Sequence, residues 1–113
     1  MKYEMNVLRV IPVDGSSNKP VPNQYIIQIG ADMVFQSYNS IVAEYVGEKG
    51  KLTINNEIAN CVTTKKYLNK FLDRFIQLHS GHREEIKKAI KSHKKYTVID
   101  FRYIYGISIY NEN

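Results

Sequence analysis

The chain of 113 residues has one cysteine, Cys61, three prolines and no tryptophan. A lone cysteine excludes an intramolecular disulfide framework and any zinc site built on a cysteine cluster, and it points to a reducing compartment. Long apolar runs are also missing, since nothing approaches the ~20 consecutive apolar residues a membrane span needs. Between Met1 and Val13 the apolar stretches are broken by Glu4, Asn6 and Arg9, so this segment does not read as a signal peptide. There is no phosphate-cradling loop, GxSxG, HExxH or GxGxxG, and no internal repeat.

What is present is 43% apolar and 24% charged residues with a net charge of +5, the make-up of one soluble globular domain. The 12 Lys, 14 Ile, 10 Asn and 9 Tyr have A/T-rich codons, as expected of a low-GC bacterium or its phage. The charge is unevenly placed. Between Thr63 and Lys95, ten bases (Lys65, Lys66, Lys70, Arg74, Arg83, Lys87, Lys88, Lys91, Lys94 and Lys95) face three acids, a local balance of +7, and the remainder carries −2. Such asymmetry marks a partner- or nucleic-acid-binding surface, unless the helices are lysine-rich only for solubility.

Periodicity divides the domain into a strand-rich part (residues 1–62), a basic helical insert (63–95) and a C-terminal strand (96–110). Tyr3–Ile11 has β-formers whose alternation slips between Val7 and Leu8, as at a bulge or edge strand. Asp14–Pro22 reads as a loop, because its Gly, Ser, Asn and Pro residues do not keep up a ladder. Strands are expected over Asn23–Ile29, Met33–Tyr38, Ser40–Val46 and Lys51–Ile54, with Asn55 and Asn56 in another turn. From Lys65 the apolar residues Tyr67, Leu68, Phe71, Leu72, Phe75 and Ile76 form a helical stripe, with Thr63 or Thr64 as N-cap and Gly81 ending the helix. A second, less deeply packed helix is expected over His82–Ser92. Tyr96–Tyr110 alternates for longer than one strand usually runs, so it should bend near Gly106 or form two strands. The fold class is α+β, an antiparallel sheet of about five to six strands with two helices inserted before the last strand.

Candidate chemistry is sparse. His79 and His82 are separated by Gly81, His93 lies further on, and with no third ligand in view no metal or cofactor site is assigned. Cys61 precedes a helix N-terminus, where a thiolate is favoured, but no partner histidine is identifiable and a buried, inert cysteine is the commoner case. Glu44, Glu48, Asp32, Glu57 and Asp100 are scattered through the strand regions, and Asp100 with Arg102 reads as a surface ion pair. Tyr38, Tyr45, Tyr96 and Tyr110 are candidates for stacking on bases, although no ribonucleoprotein-type aromatic motif or helix-turn-helix pattern accompanies them.

Two stretches, Val34-Phe35-Gln36-Ser37-Tyr38-Asn39-Ser40-Ile41-Val42-Ala43 and Thr63-Thr64-Lys65-Lys66-Tyr67-Leu68-Asn69-Lys70-Phe71-Leu72, together resemble a small domain family encoded by bacteriophages, plasmids and other mobile elements. In that family a QSY.S.VA hairpin precedes a helix that opens on a Thr pair, and the resemblance covers Met33 to Leu72. It transfers no catalytic residues, because the family has none assigned. The same residues also have a folding explanation: a tight turn in which Asn39 is suited to the left-handed conformation, Phe35 facing Val42 in the core, and a Thr cap.

Size and resemblance imply a non-enzymatic phage or mobile-element accessory protein that acts by stoichiometric binding. Its target would be a host protein or ribonucleoprotein effector, including a defence effector of the CRISPR–Cas type, met in the host cytoplasm. The alternative is an accessory protein that contacts DNA or RNA through the basic helical face, and a weaker third is a small hydrolase or nuclease. The positive charge excludes an acidic DNA mimic. No membrane partner is expected, and a homodimer through an edge strand such as Tyr3–Ile11 stays open.

Overall fold

Short turns between alternating segments produce an antiparallel meander. A computed structural model describes residues 8–14, 20–76, 82–101 and 106–113. The strands are β1 (Leu8–Asp14), β2 (Pro20–Ile29), β3 (Asp32–Ser37), β4 (Ser40–Val46), β5 (Lys51–Asn55), β6 (Tyr96–Asp100) and β7 (Ser108–Glu112). They lie in one sheet in chain order, each antiparallel to the next. Between β5 and β6 come α1 (Asn56–Ala59), α2 (Val62–Phe71) with a π-helical continuation over Leu72–Ile76, and α3 (Arg83–Ile90).

The α+β class and the antiparallel sheet are as expected, but the element count is corrected. Among the described residues there are seven strands and three α-helices, and the helices precede the last two strands. The Asn55-Asn56 pair makes a helix instead of a turn, because the Asn55 side chain caps the amides of Glu57 and Ile58. The long C-terminal segment divides into β6 and β7, with Gly106 at φ 153° in the connection. Residues 102–105, which include Arg102, lie outside the described residues, as do Tyr3–Val7, His79 and Gly81.

Local chemistry explains the other differences. Pro20 and Pro22 belong to β2, beyond the point where Gln24 pairs with Ser37. Their missing amides therefore forfeit no bond to β3. In the β3–β4 turn the left-handed residue is Tyr38, φ 54°, and not Asn39. Tyr38 is held by its amide donating to the Asn23 carbonyl at 2.7 Å and by Gln36 Nε2 donating to its own carbonyl at 2.7 Å. Phe35 pairs with Ala43, because a register shift leaves Val42 as the extra residue of a bulge. Helix α2 starts at Val62 with Cys61 as its N-cap, so neither Thr63 nor Thr64 takes that role. Asp100 is buried.

One row of residues across the sheet's inner face organises what lies on it: Ile11, Ile26, Phe35, Ala43, Ile54, Thr97 and Asn111, each directly opposite the next. The apolar part of the row receives α2, with the Phe71 ring stacked on Phe35 at 5.8 Å and Tyr67, Leu68 and Leu72 buried beside it. The polar end receives α1 and α3. Thr97 donates its hydroxyl to Asn56 Oδ1 at 2.6 Å and accepts from Asn111 Nδ2 at 3.1 Å. Asn56 Nδ2 donates to the Lys94 carbonyl, Asn60 Nδ2 to that of Ile90, and Asn111 Nδ2 to that of Ala89. Carbonyls at the end of α3 and just beyond it thus gain donors from the sheet and from the α1 region.

At the other end of the strands the β2–β3 and β4–β5 turns touch. Asp32 Oδ1 accepts the Gly47 amide at 2.9 Å, and a Cβ on Gly47 would come 2.4 Å from the Ala31 carbonyl oxygen. Replacing Gly47 with Ala should therefore lower stability by about 1–3 kcal/mol in urea unfolding, while Glu48→Ala in the same turn stays near wild type. Asn56→Ala removes the acceptor of the buried Thr97 hydroxyl and a donor to the Lys94 carbonyl, and the same measurement should show a loss of about 1–3 kcal/mol.

Candidate functional site

Helices α2 and α3 both lie on the inner face, and their side chains meet along a groove of about 230 Å³. Asp73, just after α2, bonds to Arg83 at the start of α3, while Lys65 near the start of α2 shares the groove with Lys91 just past α3. The helices therefore run antiparallel. The floor is aliphatic: Leu68 and Leu72 from the α2 side, Ile86 and Ile90 from α3, each pair one helical turn apart. Lys65 and Asn69 form one rim, and Arg83, Lys87 and Lys91, at successive intervals of four residues, form the other.

The cations on these rims differ. The Arg83 guanidinium is largely buried, its side chain 16% exposed, and burial holds its pKa below the ordinary arginine value. It is paired with Asp73, which does not itself line the groove. Lys87 lies 3.5 Å from Glu84 with both side chains well exposed, a pairing of little energetic weight. Lys65 and Lys91, at the opposite end, have no ion pair among the described residues.

Of the ten basic positions singled out in the sequence, the fold brings Lys65, Arg83, Lys87 and Lys91 into one groove. The other six do not line it. Lys66 lies over the Tyr67 ring at 5.6 Å and Lys95 over the Tyr96 ring at 5.5 Å. Lys70 and Arg74 are on other parts of the α2 helical run, and Lys88 and Lys94 are exposed on and beyond α3. The tyrosines do not gather either. Tyr38 is exposed in the β3–β4 turn, Tyr45 meets Phe101 edge-on, and Tyr96 and Tyr110 are half-buried in β6 and β7. The composition argument missed the floor, because Leu68, Leu72, Ile86 and Ile90 look like ordinary core residues. Their i, i+4 spacing on two consecutive helices was the available signal.

Cys61 is exposed, which corrects the expectation of a buried thiol. The neutral thiol makes no capping hydrogen bond. The Thr64 amide foremost, then the Thr64 hydroxyl and the Thr63 amide, favour its thiolate and lower its pKa. No cluster of three or more His, Cys, Asp or Glu able to hold a metal ion occurs among the described residues, nor does any helix long and apolar enough to cross a membrane.

One protein-family model matches the chain over residues 9–93, that of DUF8033, described as a family of unknown function. No curated protein and no solved structure matches it.

The lowered Cys61 pKa has a direct chemical readout. Its alkylation by iodoacetamide should switch on at lower pH than that of an unperturbed thiol, since more thiolate is present at any given pH below the ordinary value. Thr64→Val, which removes the hydroxyl and keeps the amide, should move the profile part of the way back upward, and a wild-type profile already at the unperturbed position would show that the first-turn groups do not act on the sulfur.

Proposed function

This chain belongs to DUF8033, a family of unknown function, and we propose that it works as a non-enzymatic, stoichiometric binding protein whose contact surface is the α2–α3 groove. The observation that carries this reading is the pairing of an aliphatic floor with a lysine and arginine rim. The described lining residues include no carboxylate, imidazole, thiol or hydroxyl, so they offer binding energy and charge but no group for proton transfer or nucleophilic attack at neutral pH. A cationic rim selects an acidic partner and steers its approach.

The resemblance of Val34–Ala43 and Thr63–Leu72 to a phage and mobile-element domain family supports a finer version. In it the protein is an accessory factor that occupies and blocks a host protein or ribonucleoprotein, in the manner of an anti-CRISPR inhibitor. A second reading, direct contact with DNA or RNA, is favoured by the further exposed cations Lys88, Lys94 and Lys95 on and after α3.

Two measurements separate these readings. Tagged protein should recover a discrete complex from bacterial host lysate, and Lys87→Glu, Lys88→Glu and Lys91→Glu together should abolish it. Recovery of the same complex by the triple variant would show that the basic face is not the contact. Fluorescence anisotropy with labelled DNA and RNA oligonucleotides tests the second reading, which requires affinity that falls by about 10³-fold or more between 50 and 200 mM salt if ~6 phosphates are contacted.

A further inference from the structure

We infer that the outer face of β1–β4, the side of the sheet turned away from the helices, is the contact through which two copies of this chain associate face to face. This contact is separate from the α2–α3 groove and goes beyond the binding reading above. An antiparallel sheet with helices on one side ordinarily turns polar residues outward. Here the outward positions, which alternate with the central inner row, are largely apolar. One outer row runs Val10, Ile27, Val34 and Glu44, each opposite the next. The row beside it runs Pro12, Tyr25, Gln36 and Ile41. Val10 is 59% exposed and Ile41 47%, and Tyr25, Ile27 and Val34 are half-buried. The described helices do not cover them, because Phe71 on Phe35 and Asn56 on Thr97 hold those helices to the other face. Val98, outward in β6, is already buried, so the free surface is the β1–β4 part.

The exposure of Ile41 is built into the backbone. Phe35 pairs with Ala43 but Gln36 pairs with Ile41, so Val42 is the extra residue of the bulge. In a regular strand Ile41 would share the inward side of Ala43, and the bulge turns it outward instead. A backbone irregularity thus aims an isoleucine away from the core. Gln36, the neutral polar residue of the patch, already donates its Nε2 to the Tyr38 carbonyl, which lowers the cost of covering it.

The layout of charge selects a second copy as the occupant. A chain of net charge +5 repels itself, but its excess lies within residues 63–95, on the helical side. With facing sheets about 10 Å apart and helices about 10 Å beyond each sheet, the basic layers of a face-to-face pair stand about 30 Å apart, roughly three Debye lengths or more at physiological salt. The outward positions of β1–β4 include no Lys or Arg among the described residues, so they offer no grip on a phosphate. Edge-to-edge pairing through β1 is hindered by Pro12, which has no amide to donate. The four strands form a patch about 19 Å by about 18 Å. Two such patches, with the relief of their side chains, bury on the order of 1,000 Å², the low end for a specific interface. The pair is therefore a twofold, concentration-dependent dimer.

Sedimentation velocity between about 5 and about 500 μM tests this. The wild-type chain should pass from monomer to dimer as its concentration rises, and sodium sulfate should shift that transition to lower concentration by strengthening apolar burial. Ile41→Glu and, separately, Val10→Glu should each weaken the dimer by about tenfold or more, since each places a carboxylate in the contact. Val62→Glu substitutes an apolar residue that is 85% exposed at the start of α2, on the helical side, and should change the dimer by less than about threefold. Circular dichroism of the three variants checks that the fold is retained. The two outer-face substitutions lie on different strands, so loss of the fold in one leaves the other as the test.

A chain that stays monomeric at the highest concentration, a dimer left intact by Ile41→Glu and Val10→Glu, or one that Val62→Glu weakens equally would overturn the inference. So would a dimer that dissociates as sodium sulfate is raised, which would place the contact on charged groups. A monomeric chain that recovers a host protein released by Ile41→Glu would assign the face to a different protein, and that also overturns it. None of these outcomes bears on the groove. Recovery of a host complex by the Lys87, Lys88 and Lys91 triple variant removes the groove reading and leaves the dimer standing.

Discussion

The placement of α3 depends on the buried polar junction of Asn56, Thr97 and Asn111. Across β1 to β5 the central row of the inner face is apolar, and any helix with an apolar stripe can cover it. At β6 and β7 the row turns polar, and the sheet there presents a hydroxyl and a carboxamide that need partners once buried. The end of α3 and the chain just beyond it present carbonyls that accept from such donors. Joining the two supplies the partners, and Asn60 adds a bond to the Ile90 carbonyl from the side. Hydrogen bonds are directional where aliphatic packing is not, so this junction sets the position of α3 more narrowly than Ile86 and Ile90 do on their own.

That position creates the groove. Helix α2 is drawn to the apolar part of the sheet by Phe71 on Phe35, and α3 is held at the polar end. The helices lie side by side with a shallow groove between them, floored by Leu68, Leu72, Ile86 and Ile90, which are themselves buried. The Asp73–Arg83 pair joins them at one end only. Four of the basic residues spread along the sequence insert thereby come together on the rims, and Lys65 and Lys91 have no ion pair among the described residues. The binding function proposed for this family member rests on that grouping of cations around one groove.

Much of the sheet was legible from residues alone. Met33–Tyr38, Ser40–Val46 and Lys51–Ile54 were found within a residue or two because their alternation and the turns at Gly30 and Gly47–Gly50 agree. The misreadings share a cause. Asn55 reads locally as a turn residue, but asparagine serves turns and helix N-caps equally, and only the amides of Glu57 and Ile58 above it decide which. Tyr38 took the left-handed position ahead of Asn39 because neighbouring carbonyl and amide groups hold it there. Pro20 and Pro22 entered a strand because β3 had already ended alongside them.

The sequence by itself determined the class of the fold, the apolar faces of its strands and helices, and the concentration of positive charge on the helical insert. These are properties of short windows, set by side-chain period and local turn chemistry. Only the tertiary structure decided that Lys65, Arg83, Lys87 and Lys91 share one groove while Lys66, Lys88 and Lys95 do not. It also decided that Leu68, Leu72, Ile86 and Ile90 floor that groove. Which face of one helix meets another depends on where Asn56, Thr97 and Asn111 find their partners, and those contacts join residues 14 to 41 positions apart, beyond the reach of any local pattern.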